Sequence, residues 1–185
     1  MATFNERIIG AAKLDVGVYE EVEADTQATG QAAGVVLLSS LAAGIGSLGL
    51  GASGLGGVIA GSVVALLTWI IWAFLTYFIG TRLLPEPQTH ADMGQLMRTL
   101  GFAQSPGLLR LFGGIPGIGP LMLTVVSVWM LVAMVIAVRQ ALDYTSTWRA
   151  VGVCLVGWAV IIIPTIVAAV IFRSGASGNG VAGAP

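Results

Sequence analysis

The segment GFAQSPGLLRLFGG, residues 101–114, places several polar side chains inside a chain that is otherwise largely apolar. Gln104, Ser105 and Arg110 lie within it, and Arg98 precedes it. Polar groups at membrane depth are costly and usually have a use, so they could line a path for an anion or contact another membrane protein. The alternative makes Arg98 and Arg110 interfacial anchors and assigns the two uncharged side chains to hydrogen bonds between helices.

A run of carboxylates near the N-terminus could bind a divalent cation, because such ions prefer several oxygen ligands. Its members are Glu20, Glu21, Glu23 and Asp25. Successive acids on a helix point in different directions, and the sequence offers no second acidic cluster. We therefore interpret the run as a solvated helix face.

The single histidine, His90, has a carboxylate neighbour in Asp92. One histidine excludes a His-rich metal site and a serine–histidine hydrolase with a spare base, whereas Thr89 or Asp92 can cap a helix that begins near residue 92. An enzyme acting on lipid would have only Glu86 with Asp143 as a cytoplasm-side acid pair. We predict no catalytic, metal-binding or cofactor-binding residue and no cofactor.

The composition identifies lipid as the solvent for most of the chain. Of 185 residues, 56% are hydrophobic and 9% are charged, and the mean hydropathy is +0.92; a soluble domain carries about 25% charged residues. The net charge is −1 and the eight basic residues are scattered, which argues against a nucleic-acid partner. The only cysteine, Cys154, rules out an intrachain disulfide.

The N-terminal region, residues 1–25, predicts a cytoplasmic amphipathic helix over residues 4–24. Its apolar residues recur at three- and four-residue spacing: Phe4, Ile8, Ala12, Val16, Tyr19 and Val22. The polar face lacks the Lys and Arg residues of a strong binder of anionic lipid. We expect this helix to pack under a membrane bundle or to lie weakly in the interface.

The membrane domain, residues 26–173, contains long uncharged runs. The 56 uncharged residues between Asp25 and Arg82 predict two spans, because one crossing needs about 20 residues. These spans are residues 30–49 and 57–80, and glycine-rich residues 44–57 predict a tight turn between them.

Two further uncharged runs predict spans over residues 118–138 and 150–172. The remaining residues, 174–185, are small, polar and rich in glycine, and we expect a disordered tail.

Residues 92–112 either form a fifth span or lie in the interface. A helix of this length would separate a leucine stripe from a small and polar face. Five spans and four spans both place six basic residues on the cytoplasmic side and two on the other. Charge counting therefore leaves the question open, although both arrangements put the N-terminus in the cytoplasm.

Two small-xxx-small patterns could seat a neighbouring helix closely: GVIAG, residues 57–61, and GQAAG, residues 30–34. We expect packing within one chain more than self-association. The candidate functional or packing residues are Arg98, Gly101, Gln104, Ser105, Pro106, Arg110, Gly57 and Gly61.

The order of these features resembles the Yip family, membrane proteins named for interaction with Rab/Ypt GTPases. LDVGVYEEVEAD, residues 14–25, is similar to the family's entry segment. LMRTLGFAQSPGLLRLF, residues 96–112, contains the small-aromatic-small-x-small-Pro pattern of its third span. The resemblance covers residues 6–172 and implies five transmembrane helices, a cytoplasmic N-terminus and an external C-terminus.

Eukaryotic members of that family are linked to Rab proteins and vesicle traffic, whereas the short loops and the alanine- and glycine-rich composition here resemble bacterial members, which have no Rab partners. We therefore expect an all-α, polytopic bundle of five spans in a bacterial cytoplasmic membrane. Its expected role is non-enzymatic: membrane organisation, or an accessory subunit that binds other membrane proteins or a second copy of itself. The alternative is a small transporter or channel with a polar path near Arg98 and Gln104.

Overall fold

A computed structural model describes residues 2–48 and 54–178, and this part of the chain is helical without any strand. The α-helices are α1 (Phe4–Ala12), α2 (Val16–Ala24), α3 (Ala28–Leu48), α4 (Leu55–Phe78), α5 (Met93–Phe102), α6 (Gly119–Ala141) and α7 (Thr147–Gly178). A π-helical turn, Ile79–Leu83, continues α4, and a 3-10 helix, Ser105–Gly114, follows α5.

Four helical segments are long and apolar enough to cross a membrane: Ala28–Leu48, Leu55–Leu83, Gly119–Ala141 and Thr147–Val167. Their outward faces expose large apolar side chains, for example Leu55 at 75% and Leu121 at 67%. Such surfaces are stable in lipid and costly in water. The chain is therefore a helical membrane protein.

The N-terminal region is a hairpin of two helices, α1 and α2, and not the single helix expected over residues 4–24. The chain reverses at Leu14, whose φ of 63° lies in the left-handed region. Asp15 then starts α2, because its Oδ1 accepts a hydrogen bond from the Gly17 N–H at 3.0 Å. The amphipathic spacing identified the buried side chains Tyr19 and Val22 but did not reveal this break.

The fifth span predicted at residues 92–112 is interrupted. Asp92 caps α5 as expected, since its carboxylate accepts from the Gln95 N–H at 2.9 Å. The α-helix ends at Phe102 because Pro106 has no N–H to donate to the Phe102 carbonyl. The Ser105 hydroxyl donates to that carbonyl instead, at 2.7 Å, and the chain continues as the 3-10 helix.

This interrupted segment follows α3 along most of its length and in the same direction. A Cβ on Gly101 would lie 2.6 Å from the Cβ of Ala32, and one on Gly107 would collide with the Ser39 hydroxyl. Further along, a Cβ on Gly46 would collide with the backbone oxygen of Arg110. These contacts extend over about 21 Å of α3, at ~1.5 Å per residue.

The two ends of the bundle differ in charge. At one end, which we call the charged end, α2 meets the start of α5 and the end of α6: Gln95 donates to Glu23 at 3.1 Å and Gln140 donates to Glu20 at 3.0 Å. The loops at residues 84–92 and 142–146 meet there as well, where the Tyr144 hydroxyl donates to the Leu84 carbonyl at 2.7 Å. The opposite end, where α3 ends, α4 begins and the 3-10 helix leads into α6, we call the glycine end.

The C-terminal boundary of the membrane domain differs from the expected one, and two predicted segments lie partly outside the described residues. The helix α7 continues to Gly178, five residues into the tail predicted at 174–185; none of residues 174–178 is proline, so each can continue the backbone hydrogen bonds of the helix. Residues 179–185 lie outside the described residues. So do residues 49–53 within the glycine-rich connection.

Candidate functional site

Arg98, the first candidate, is a buried cap on the end of α2. Its side chain is only 5% exposed. Its Nε donates to the Val22 carbonyl at 3.0 Å and to the Glu23 carbonyl at 3.1 Å, and its Nη2 donates to the Glu23 carbonyl as well. The last carbonyls of a helix have no intrahelical partner, and the negative end of the helix dipole favours a cation.

A cavity of about 410 Å³ adjoins this junction at the charged end. It is lined by Glu20, Glu23, Arg139, Gln140, Asp143, Tyr144 and Thr145. Burial raises the pKa of Glu23 to about 7, the Asp143 carboxylate adds to the rise, and the Arg98 guanidinium opposes it. This carboxyl therefore titrates near neutral pH.

The acidic run predicted as a solvated face is largely engaged within the chain. Arg7, 2% exposed, pairs with Glu21 and Asp25 at 2.8 Å each and donates to Gln31 at 3.0 Å. Its guanidinium lowers the pKa of both carboxyls. Nothing in the amphipathic stripe indicates that Arg7 is buried, so this ion-pair group has no signal in the sequence.

No three His, Cys, Asp or Glu side chains among the described residues are placed to hold a metal ion. The His90 ring lies 2.9 Å from the Gln88 carbonyl in the loop before α5. Glu86 accepts hydrogen bonds from the Thr145 N–H and hydroxyl and lies 3.3 Å from Arg149. Through these contacts Glu86 connects the loop at residues 84–92 to the loop at residues 142–146.

Four candidates, Gly101, Gln104, Ser105 and Pro106, lie where α5 ends and the 3-10 helix begins. Gly101 allows α5 to approach Ala32, while Ser105 and Pro106 are buried at the transition to the 3-10 helix. The Ser105 hydroxyl donates within its own segment, and among the described residues it bonds to no other helix. Gln104 is half-buried and its backbone completes the turn.

The remaining three candidates, Gly57, Gly61 and Arg110, line one cavity at the glycine end. This cavity has a volume of about 350 Å³ and lies between α3, α4 and the 3-10 helix. We expected Gly57 and Gly61 to seat another helix of the chain, but a Cβ on Gly61 would meet nothing within 4 Å. Gly57 and Gly61 have no side chains to fill the space between α4, α3 and Arg110, so the cavity stays open.

Comparison with family models, with curated proteins and with solved structures finds no match to this chain.

Proposed function

We propose that this chain is a five-pass membrane protein of Yip type, with its N-terminus in the cytoplasm of a bacterium and its C-terminus outside. In this proposal it acts without catalysis, as an organiser of the membrane or an accessory subunit that binds other membrane proteins through its helix faces. The observation that carries the proposal is the course of residues 93–114 along α3. In this proposal, that course is a fifth crossing beside the four long helices.

The dimensions support a crossing. The ten α-helical residues rise about 15 Å and the ten 3-10 residues about 20 Å, and their sum of about 35 Å is enough to cross a ~30 Å hydrocarbon core. Irregular backbone at membrane depth is tolerated where protein buries it. Ser105, Pro106 and Gly107, at the interruption, are all buried.

The distribution of charge supports the orientation. If residues 93–114 cross, Arg82, Arg98, Arg139 and Arg149 belong to the charged end, and Arg7 and Lys13 to the N-terminal hairpin attached to it, while Arg110 belongs to the opposite end. Basic residues accumulate on the cytoplasmic side. The charged end, with the N-terminal hairpin, is therefore assigned to the cytoplasm.

The transporter alternative has less support at the position where it was expected. Arg98 gives hydrogen bonds to the Val22 and Glu23 carbonyls, so an anion at this guanidinium would have to displace the end of α2. A carrier site needs groups that bind its substrate and release it. Arg98 is instead committed to holding the N-terminal hairpin against α5.

The topology is tested by accessibility of single cysteines in a Cys154→Ser background. Five passes expose a cysteine at Pro116 outside and cysteines at Gln88 and Thr145 inside. Four passes with an interfacial segment put Pro116 inside with Gln88, and Thr145 outside. The second pattern, or reporter fusions that place both chain ends in one compartment, would refute the five-pass proposal.

The accessory role is tested separately by mild detergent extraction of the tagged protein at native expression level. We expect a defined membrane protein to co-purify in constant ratio. Purification of the bare chain under conditions that preserve known complexes of the same membrane would contradict the role and leave the topology result standing.

A further inference from the structure

The cavity at the glycine end is lined by one cationic side chain, that of Arg110, and by no carboxylate among the described residues. Arg110 is half-buried at its wall, and the hydrogen bonds and ion pairs of the described residues include none from its side chain. None of the nine carboxylate side chains lies on α3, α4, the 3-10 helix or α6: they are Glu6, Asp15, Glu20, Glu21, Glu23, Asp25, Glu86, Asp92 and Asp143. The connection at residues 49–53 contains none either.

An arginine at membrane depth is costly unless it reaches an anion or water. The two buried arginines of the charged end have their partners within the chain: Arg7 pairs with carboxylates, and Arg98 with helix carbonyls. Arg110 differs from them because α3, α4 and the 3-10 helix, which form its cavity, carry no acidic side chain. An anion from outside the chain would neutralise the charge of Arg110.

The first turn of α4 faces the same cavity. Gly57 and Val58 line it, and their N–H groups donate to the Gly54 carbonyl. Gly54, the cap residue, has no side chain to bond the N–H groups of Leu55 and Gly56, which begin α4. The N-terminus of a helix attracts anions through those N–H groups and the positive end of the dipole. The absence of side chains at Gly57 and Gly61 leaves the backbone approachable from the lipid side.

The depth and the walls of the cavity match a lipid headgroup. Along α4 it reaches from Gly57 to Ala65, about 12 Å at ~1.5 Å per residue, so it lies within the last turns before the glycine end. Ser40 and Ser47 line the α3 side, where their hydroxyls donate to the Leu37 and Gly44 carbonyls at 2.8 and 2.7 Å. Leu55 and Ile59, both exposed on α4, offer an apolar surface to the acyl chains.

We propose that the cavity between α3, α4 and the 3-10 helix binds the phosphate group of an anionic phospholipid, with Arg110 as its counter-ion. The inference needs the membrane location of the chain and does not depend on the accessory role. It adds a lipid site in the leaflet at the glycine end. Free phosphate shares the same chemistry, and the experiment separates the two sources.

The test uses the full-length protein purified into nanodiscs of phosphatidylcholine, with phosphatidylglycerol titrated in and retained lipid measured by native mass spectrometry. We expect preferential retention of phosphatidylglycerol by the wild type. Arg110→Gln should weaken it about tenfold, which corresponds to about 1.4 kcal/mol, and Arg110→Lys should weaken it less. The exposed Arg82→Gln at the charged end is the matched charge control and should retain the lipid.

A second pair of variants tests the cavity without touching the charge. Gly61→Leu fills open space, so the fold should persist while lipid retention falls. Gly30→Leu, where a Cβ also meets nothing within 4 Å, is its control at the charged end. Size-exclusion profiles identify any variant that has lost its fold.

Millimolar inorganic phosphate added to nanodiscs of pure phosphatidylcholine tests the second source. Binding that depends on Arg110, without any preference for phosphatidylglycerol, assigns the site to free phosphate and overturns the lipid assignment. Equal retention of phosphatidylglycerol by wild type, Arg110→Gln and Gly61→Leu would overturn the site itself. Neither result alters the cysteine-accessibility pattern that tests the topology.

Discussion

Replacement of Arg98 by methionine should detach the end of α2 from α5. Methionine keeps much of the apolar stem of arginine and removes all of its donors. The Val22 and Glu23 carbonyls, which accept from Arg98 at 3.0 and 3.1 Å, would then lose a charged partner in a buried position. Arg98 lies 76 residues after Val22 in the sequence, so no residue next to the α2 carbonyls along the chain can replace its hydrogen bonds.

The size of the effect follows from these contacts. A hydrogen bond that involves a charged group contributes about 1.5–3 kcal/mol, and the cation adds about 0.3–1 kcal/mol at a helix C-terminus. One guanidinium serves both carbonyls, and water can reach part of the helix end after the substitution. We therefore expect a loss of about 2–4 kcal/mol in the free energy of unfolding.

Thermal unfolding in detergent measures the loss, and hydrogen exchange locates it. Exchange should accelerate in α2 and remain slow in α6. Arg98→Lys should recover part of the stability because the charge persists, and Arg82→Met should change nothing because Arg82 is exposed. Unchanged stability and unchanged protection of α2 in Arg98→Met would refute the assigned capping role; loss of an anion flux with intact stability would favour the transporter.

Two further perturbations test the packing of α5 and the titration of its neighbour. Gly101→Ala should destabilise the bundle by about 1–3 kcal/mol through overpacking, because its Cβ would lie 2.6 Å from that of Ala32. The double variant with Ala32→Gly should regain stability in thermal unfolding. If it does not, the close approach of α5 to α3 is contradicted. Glu23 has a pKa raised from 4.5 to about 7, so its contribution to stability is present below pH 4.5 and is lost as the pH rises through 7. Glu23→Gln should flatten the fall of the unfolding temperature between pH 5 and pH 8, and an identical slope in both proteins would exclude this carboxyl as its source.

The predictability of the fold depends on whether a feature is local. The apolar runs identify four long helices because helix length and hydropathy are properties of contiguous residues, and Asp92 is recognisable as a cap because its partner Gln95 lies in the same turn. The break at Leu14 is hidden, since the apolar spacing of the two short helices happens to continue through it. Pro106 belongs to a pattern that resembles a family's third span, and that pattern does not reveal its effect on helix continuity.

The sequence predicts which residues belong to the candidate site but not how those residues are arranged in space. Arg98 and Arg110 are both polar residues that need an explanation in lipid, and from the sequence the same interpretation, an interfacial anchor, fits both. The structure separates them: Arg98 caps α2, whereas Arg110 borders an open cavity with Gly57 and Gly61. Residues without a sequence signal, such as Arg7, become recognisable only through their partners.

The sequence by itself determined that lipid surrounds this chain and where its long helices lie, because transfer of side chains from water to lipid is a sum over neighbouring residues. The tertiary structure decided which polar groups are satisfied within the chain and which are left facing outward. That outcome depends on contacts between residues far apart in the chain, as between Arg98 and Val22, whose meeting is set by how the helices pack and by no property of either segment alone.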